Sequence, residues 1–505
     1  MNLVINLGLK SIRGIVFDNS GDQVYAKSYP VHTYLFLERV EQDATEWLLL
    51  LDKILSDMAQ NTDLSHKILR VTVATSSSCI LGVDEAFYPI TKVLMVSDKR
   101  ALPQVDIIQQ YLSVKNIKKD MICPVSSLIP KAMWFKDNYP EIFVRVAYWL
   151  GAAELLNYYF TKQIFTDTLN ASKALSIDGV YQKEVVHAMG IRIDTLPTIL
   201  NIGSILPVDG DIITKYKFNK DCQFVLTTYD AICAVIGSGN GEPTNACDVS
   251  GTVTSVRLIR DTPLNSSNKV LLAQSFDFLN KYIIGSSNNL GGGLIEWCKQ
   301  AFFENDGNDV YFQMENQAQL SSIGSGGIVF LPYLLGERSP FIAPNASATF
   351  FGINRSTTIK DFTRAVFEST AYVTRDLIEL IENDVVPVET ISVSGGLARF
   401  DTINQIKADV CNKPVHVVDN FESTSIGAFI LMGIASGIYS SLQDAIKQVV
   451  KIRKTIYPSE KRNKIYNQYF DLYRQLNTQL LPLYDRHKVI LRSKIVHENE
   501  IVRNL

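Results

Sequence analysis

Nothing in this sequence builds a cysteine or histidine metal site. Its seven cysteines (79, 123, 222, 233, 247, 298 and 411) never fall in a Cys-x-x-Cys pair, which leaves neither a disulfide framework nor a zinc site and points to a reducing compartment. Six histidines (32, 66, 187, 416, 487 and 497) show no His-Glu-x-x-His and no paired spacing. Also missing are G-x-x-x-x-G-K-[ST] and G-x-G-x-x-G, so neither a P-loop nor a Rossmann fingerprint is present. The absence of G-x-S-x-G counts against a hydrolase built on an activated serine. There is no basic excess: 49 Lys and Arg stand against 52 Asp and Glu, a net charge of -3, which gives no field for nucleic acid. No charged segment followed by an apolar one opens the chain, because Lys10 and Arg13 interrupt the first apolar stretch. The expectation is a cytoplasmic protein, for which the Asn-x-Ser/Thr triplets at Asn170, Asn265, Asn345 and Asn354 carry no glycosylation meaning. The longest uncharged run, Ser423 to Leu442, has about the length to span a bilayer. Its Ser, Thr and Gly suit a buried helix better.

What is present is a chain of 505 residues, 46% hydrophobic and 20% charged, long enough for at least two cores. It opens on VINLGLKSIRGIVFD, two apolar runs joined at Gly8, Lys10 and Ser11 with Asn6 before and Arg13 after. This reads as a hairpin in which Gly8 supplies a conformation costly to other residues. Such a turn is either a phosphate cradle or an ordinary amino-terminal hairpin. An echo, VSGTVTSVRLIRD, runs from Val249 to Asp261. Two hairpins of one design, each opening one half, suggest a duplicated domain with a cleft between the halves, unless the echo is coincidence. Helical spacing marks Trp47 to Met58, Glu141 to Phe160 and Thr358 to Glu382, and strands are expected at Ile68 to Thr75, in GGIVFLPYL, in ETISVS and in PVHVV. The mixture indicates α/β domains. The polar segment after Pro458 reads as a surface helix packed on the second half.

Three stretches could carry chemistry. Asp230, in FVLTTYDAICAVIGSG between an apolar strand and an apolar helix, is either a helix cap or a general base. A base near a phosphate cradle is what phosphoryl transfer requires. SVSGGLARFD sets Gly395 and Gly396 between strand and helix, a structural turn or a close approach for a flat or anionic ligand. LPYLLGERSPF carries Glu337 and Arg338, a buried ion pair or a surface loop.

Taken in order, these segments together with VEQDATEWL, SDKRA, TDTLNASKALSID, NNLGGGLIEW and ESTSIGAF resemble the FGGY carbohydrate kinases. The resemblance runs from Leu3 to about Asp485. It implies two actin-like (ribonuclease H-like) α/β domains with an intervening catalytic cleft, over residues 1–245 and 246–485 with a tail at 486–505. It further implies ATP and Mg²⁺ as cofactors, with Asp230 as base and as a contact to both acceptor and metal. Gly8, Lys10, Ser11 and Arg13 match the first phosphate hairpin, Gly251 and Thr252 the second. Gly395 and Gly396 match the adenosine turn, with Gln405 and Asp409 on the following helix. Ser77, Ser78, Asp98 and Arg100 fall in the acceptor pocket.

The departures from that pattern lie at the same places. Where the family usually has Asp-x-Gly-Thr-Thr/Ser, this chain has Asn6-Leu7-Gly8-Leu9-Lys10. Asn6 keeps a carbonyl acceptor for metal but brings no charge, while Lys10 adds a cation near the phosphates. Ser77-Ser78-Cys79 replaces the Met-His-Gly common in xylulose kinases, Val96 an expected Trp, and Thr227-Thr228 a Gly-Gly. The resemblance implies phosphorylation of a small sugar, first a pentulose of xylulose or ribulose type. The alternatives are a gluconate or glycerol-like polyol kinase and a catalytically weakened sugar-binding regulator. The partners expected are the sugar and, in a homodimer, a second copy of the chain; neither nucleic acid nor membrane is expected.

Overall fold

The computed structural model describes residues 1–503 except 37, 116–122, 125, 252, 265–267, 269, 304–308 and 420–421, with side chains described as far as 491. The expected phosphate residue Thr252 therefore lies outside the described residues. The chain divides into two units, one of Met1–Gly237 and Thr424–Val449, the other of Ser238–Ser423 and Val450–Leu505.

The first unit is built on six strands: β1 (Asn2–Leu7), β2 (Ser11–Phe17), β3 (Gln23–Pro30), β4 (Arg70–Thr75), β5 (Ile205–Pro207) and β6 (Gln223–Val225), in the order β5-β6-β4-β1-β2-β3. The β1–β2 and β2–β3 pairs are antiparallel, whereas β1–β4 and β6–β4 are parallel. Every residue of β1 is buried, as expected of a strand covered on both faces. One cover is the helix Ala44–Gln60, started by Asp43, whose carboxylate accepts the Thr45 amide. It turns Trp47, Leu51, Ile54, Leu55 and Met58 inward. Its approach to β2 is close enough that a Cβ on Gly14 would meet Ile54 Cγ2 at 2.4 Å.

The second unit repeats the plan with β7 (Asn245–Ser250), β8 (Thr254–Arg260), β9 (Leu272–Phe276), β10 (Lys281–Ser287), β11 (Thr390–Ser394), β12 (Val415–Val418) and β13 (Ile452–Ile456), ordered β9-β10-β8-β7-β11-β12-β13. Again a hairpin, β7–β8, is followed by strands parallel to its first member, β11 and β12. The run β3-β2-β1-β4-β6 thus has its counterpart in β10-β8-β7-β11-β12. The echo between the two hairpins is a duplicated topology.

One expected element changes. The stretch Glu141 to Phe160 is not one helix: Pro140–Phe143 is a short turn of helix, Tyr148–Leu150 a strand paired with Leu81–Val83, and Ala152–Thr161 a second helix. The break falls at Gly151, whose backbone is extended and whose amide donates to Glu154 (2.8 Å), restarting the helix. The uncharged run forms the helix Ser423–Ala435, which from Thr424 onward belongs to the first unit. Gly427 lies so near the helix Asp230–Gly237 that a Cβ would meet the Cys233 carbonyl at 1.8 Å, and Phe429 stacks on Phe17 at 5.0 Å. Among the described residues, no helix is long and apolar enough to cross a membrane. Residues 486–503, within the expected tail, lie in the helix Glu460–Arg503. That helix buries Tyr466, Phe470 and Tyr473 in the core of the second unit.

Candidate active site

Three parallel strands of the first unit end at one edge of the sheet. There β1 runs into Gly8, β4 into Ser76–Ser78, and β6 into Thr227–Asp230. In open α/β sheets ligands bind outside the carboxyl ends of such strands. The chain segments are pinned to one another: the Ser76 amide donates to the Leu7 carbonyl (3.0 Å), and the Thr227 hydroxyl to the Val73 carbonyl (2.9 Å). Asp167, fully buried, accepts the Thr228 hydroxyl at 3.0 Å along with the Leu169 and Asn170 amides, and burial pushes its carboxyl above the usual range. Asp230 follows two residues later as the first residue of Asp230–Gly237. Its Oδ1 accepts the Ala231 amide at 2.7 Å while the residue stays partly exposed. The carboxylate thus holds one of the helix's first amides at the strand-end edge.

Gly8 does not adopt the costly conformation expected of it. Its φ is not positive, and a Cβ would meet only the Ser11 carbonyl, at 3.9 Å. The turn closes by the Gly8 amide donating to Ser11 O (3.0 Å), so what glycine provides here is open space in front of backbone. Arg13 is oriented by its Nε donating to Ser11 Oγ (3.1 Å), and Lys10 is exposed. Asn6 is buried at the end of β1, and its amide Nδ2 donates to Ser425 Oγ on the returning helix (3.2 Å).

The residues expected at the acceptor pocket fall into two segments joined by a bridge between Ile80 and Leu94. Ser77 is partly exposed, and Ser78 holds a left-handed backbone with φ 65°, a conformation disfavoured for a residue with a Cβ. Asp98 has 0% exposure: its carboxylate accepts the Val40 amide (2.9 Å) and the Arg100 guanidinium (2.7 Å). Its part is to hold Arg100, which also pairs with Glu41 (2.6 Å) and lies over the Trp134 ring at 4.5 Å.

In the second unit β7, β11 and β12 likewise end together. A Cβ on Gly251 would meet nothing within 4 Å, and one on Gly396 only the Ser250 carbonyl at 4.0 Å. Gly395 is different: its φ is +84° and a Cβ would stand 2.6 Å from the Ser250 carbonyl, so the two turns touch through backbone. Beneath them Asp248 and Lys407 form a buried ion pair. Asp248 also accepts the Ser250 hydroxyl (2.5 Å) and the Thr374 hydroxyl (2.9 Å). Glu337 and Arg338 brace backbone: Glu337 accepts the Asn289 amide (3.0 Å), and Arg338 donates to the Ser287 and Asn288 carbonyls. Asn288 in turn accepts the Thr254 amide (2.8 Å). Burial pushes the Glu337 carboxyl up to about 7. Gln405 and Asp409 tie down the last helix, Asp409 through Arg462 (2.5 Å) and the Ser459 amide, Gln405 through the Tyr457 carbonyl.

Sequence reasoning missed Lys131, Asp167, Asp248 and Lys407. Two of them gave a signal, a lysine inside an apolar helical run in LIPKAMWF and in INQIKADV.

The FGGY family of carbohydrate kinases matches this chain twice, its N-terminal domain over residues 1–237 and its C-terminal domain over 249–436. A xylulose kinase of Staphylococcus epidermidis is 26% identical over 489 residues, covering 94% of this chain and 96% of its own. The gluconokinase of Bacillus subtilis is 24% identical over 522 residues, covering 98% and 99%. Structures of a gluconate kinase and of a ligand-bound xylulose kinase from Lactobacillus acidophilus each superpose with a TM-score of 0.84 at 23% identity, over 96% of this chain and 99% and 100% of theirs. With matches to both family domains and a duplicated actin-like, ribonuclease H-like α/β topology, the chain belongs to the FGGY family of carbohydrate kinases.

Proposed function

We propose that this kinase transfers the terminal phosphoryl group of ATP to a hydroxyl of a pentulose, with Asp230 as general base. The observation that carries the reading is the position of Asp230, on the strand-end edge that also bears the open Gly8 turn and the Ser76–Ser78 segment. The Asp230 carboxylate accepts the proton of the acceptor hydroxyl as that oxygen attacks. In the first unit the open Gly8 turn lets phosphate oxygens approach backbone N–H groups, with Arg13 and Lys10 as charge partners, and in the second unit the open Gly251 turn offers the same access. The pentulose assignment draws support from the xylulose kinases among the relatives, gluconate being next.

Among the described residues, no group of three or more His, Cys, Asp or Glu could hold a metal. Mg²⁺ in kinases takes only one or two carboxylates and completes its shell with phosphate oxygens and water. Asp230 and the Asn6 amide oxygen, both on the strand-end edge, are the groups that would hold a cation arriving with the nucleotide. Such a cation neutralises charge on the phosphates when bound.

The test is turnover against a panel of pentuloses, polyols and aldonates with ATP and Mg²⁺, backed by thermal shifts with each sugar. Asp230→Ala is expected to lower kcat by roughly 10²-fold or more, as loss of a general base does, with ATP binding intact. Full activity in that variant removes Asp230 from the role. A second reading, a sugar-binding regulator of weak turnover, is favoured by the uncharged Asn6 and its bond to Ser425.

A further inference from the structure

Lys131 has 0% exposure, in a helix (Leu128–Asn138) that turns seven consecutive residues inward. A buried ammonium needs partners, and this one finds backbone: Nζ donates to the Ser78 carbonyl at 2.6 Å and to the Met95 carbonyl at 2.7 Å. Those two carbonyls belong to the two segments that carry Ser77–Ser78 and Asp98–Arg100. One turn along the same helix, Trp134 lies under the Arg100 guanidinium. The helix therefore grips both segments through the Lys131 charge, and the second of them through the Trp134 ring as well.

We propose that Lys131 is a positioning residue for the acceptor sugar, holding the left-handed Ser78 turn against the Met95–Arg100 turn. This rests on the reading above that the two segments line the acceptor pocket. The tether has a specific task at Ser78, whose φ of 65° persists only when its surroundings over-determine it. Burial disfavours the ammonium and lowers the Lys131 pKa to about 8, so the charge depends on these two carbonyls for its place in the interior.

The test uses the full chain and separates acceptor from nucleotide. Lys131→Met is expected to raise the acceptor KM about ten-fold or more, as small misplacements of positioning groups do, with the ATP KM held within about two-fold. Adding Ser78→Gly to that variant should win back part of the acceptor KM, because glycine holds positive φ without a tether. Unchanged acceptor KM in Lys131→Met, acceptor and ATP KM rising together, or no recovery with Ser78→Gly each overturns the proposal. Where Lys131→Met gives no folded protein, Lys131→Arg carries the same readings, since the larger head must push the two carbonyls apart. Ser77→Trp tests the underlying reading separately: it should block the acceptor and spare ATP binding. If it does not, the pocket assignment fails, whereas a block by Ser77→Trp with no effect of Lys131→Met removes the lysine alone.

Discussion

The two Gly-turn hairpins, β1–β2 and β7–β8, share a topology and differ in what lies under them. Under β1–β2 the polar support is neutral, the Asn6 amide on the Ser425 hydroxyl, among apolar core. Under β7–β8 it is ionic, Asp248 against Lys407, with Ser250 and Thr374 completing the acceptor's needs, and Glu337 holding the adjoining Asn288–Asn289 segment. The neutral support tolerates loss of a partner at the cost of one hydrogen bond, whereas the ionic one leaves a bare charge in the interior. Duplicated folds can thus keep a turn's shape while changing what it is sensitive to.

The sharpest way to break the comparison is to remove one charge. Lys407→Met leaves Asp248 buried and uncompensated, and a loss of about 3–5 kcal/mol is expected in urea unfolding. Adding Asp248→Asn should recover most of it, since removing both partners of a buried pair is far cheaper than removing one. Ser425→Ala under the first hairpin should cost only about 1 kcal/mol. Equal losses at the two hairpins would erase the distinction.

Glu337 adds a pH dependence to the second hairpin. Its carboxyl is raised by burial from 4.5 to about 7, so between those values the folded chain holds a proton that the unfolded chain has lost. Its contribution is full below pH 4.5 and is lost as pH rises through 7, about 3 kcal/mol over the window. The difference in stability between the wild type and Glu337→Gln, measured from pH 5 to pH 8, should therefore change in that direction. A difference that does not vary with pH removes Glu337 as its source.

Much of this was legible in the chain. The Gly turns, the strands around them and Asp230 between strand and helix all follow from local signals, since turn chemistry and apolar period act over a few residues. Gly8 was legible as a residue and misread as a conformation, because a bare Gly turn looks alike whether it serves φ or space. What stayed hidden depends on contacts far apart in sequence. The partner of Asp248 is 159 residues away, and the return of Ser423–Ala435 rests on Gly427 meeting Cys233. Lys131 showed itself only as a charge in an apolar run. Asp98 showed itself as a polar residue, but its full burial under Arg100 follows from its bond to the Val40 amide and from the pairing of Arg100 with Glu41.

The smallest expected effect bears on the first hairpin and on whether its neutrality is a defect. Asn6→Asp keeps the shape, and the Ser425 hydroxyl can reverse from acceptor to donor, so the buried carboxylate keeps one donor and the stability lost should be smaller than in Lys407→Met. What changes is one negative charge at the strand-end edge. Two opposite unit charges about 4 Å apart in water attract by about 1 kcal/mol, and a divalent cation by about twice that, so the Mg²⁺ concentration for half-maximal turnover should fall roughly thirty-fold. If turnover at saturating Mg²⁺ also rises by orders of magnitude, the natural chain is a weakened catalyst and the regulator reading gains. A shifted Mg²⁺ midpoint with unchanged turnover makes Asn6 a setting of metal demand in a working kinase. Should the midpoint stay fixed, position 6 has no part in metal use, and the charge of Lys10 becomes the feature of this hairpin to vary next.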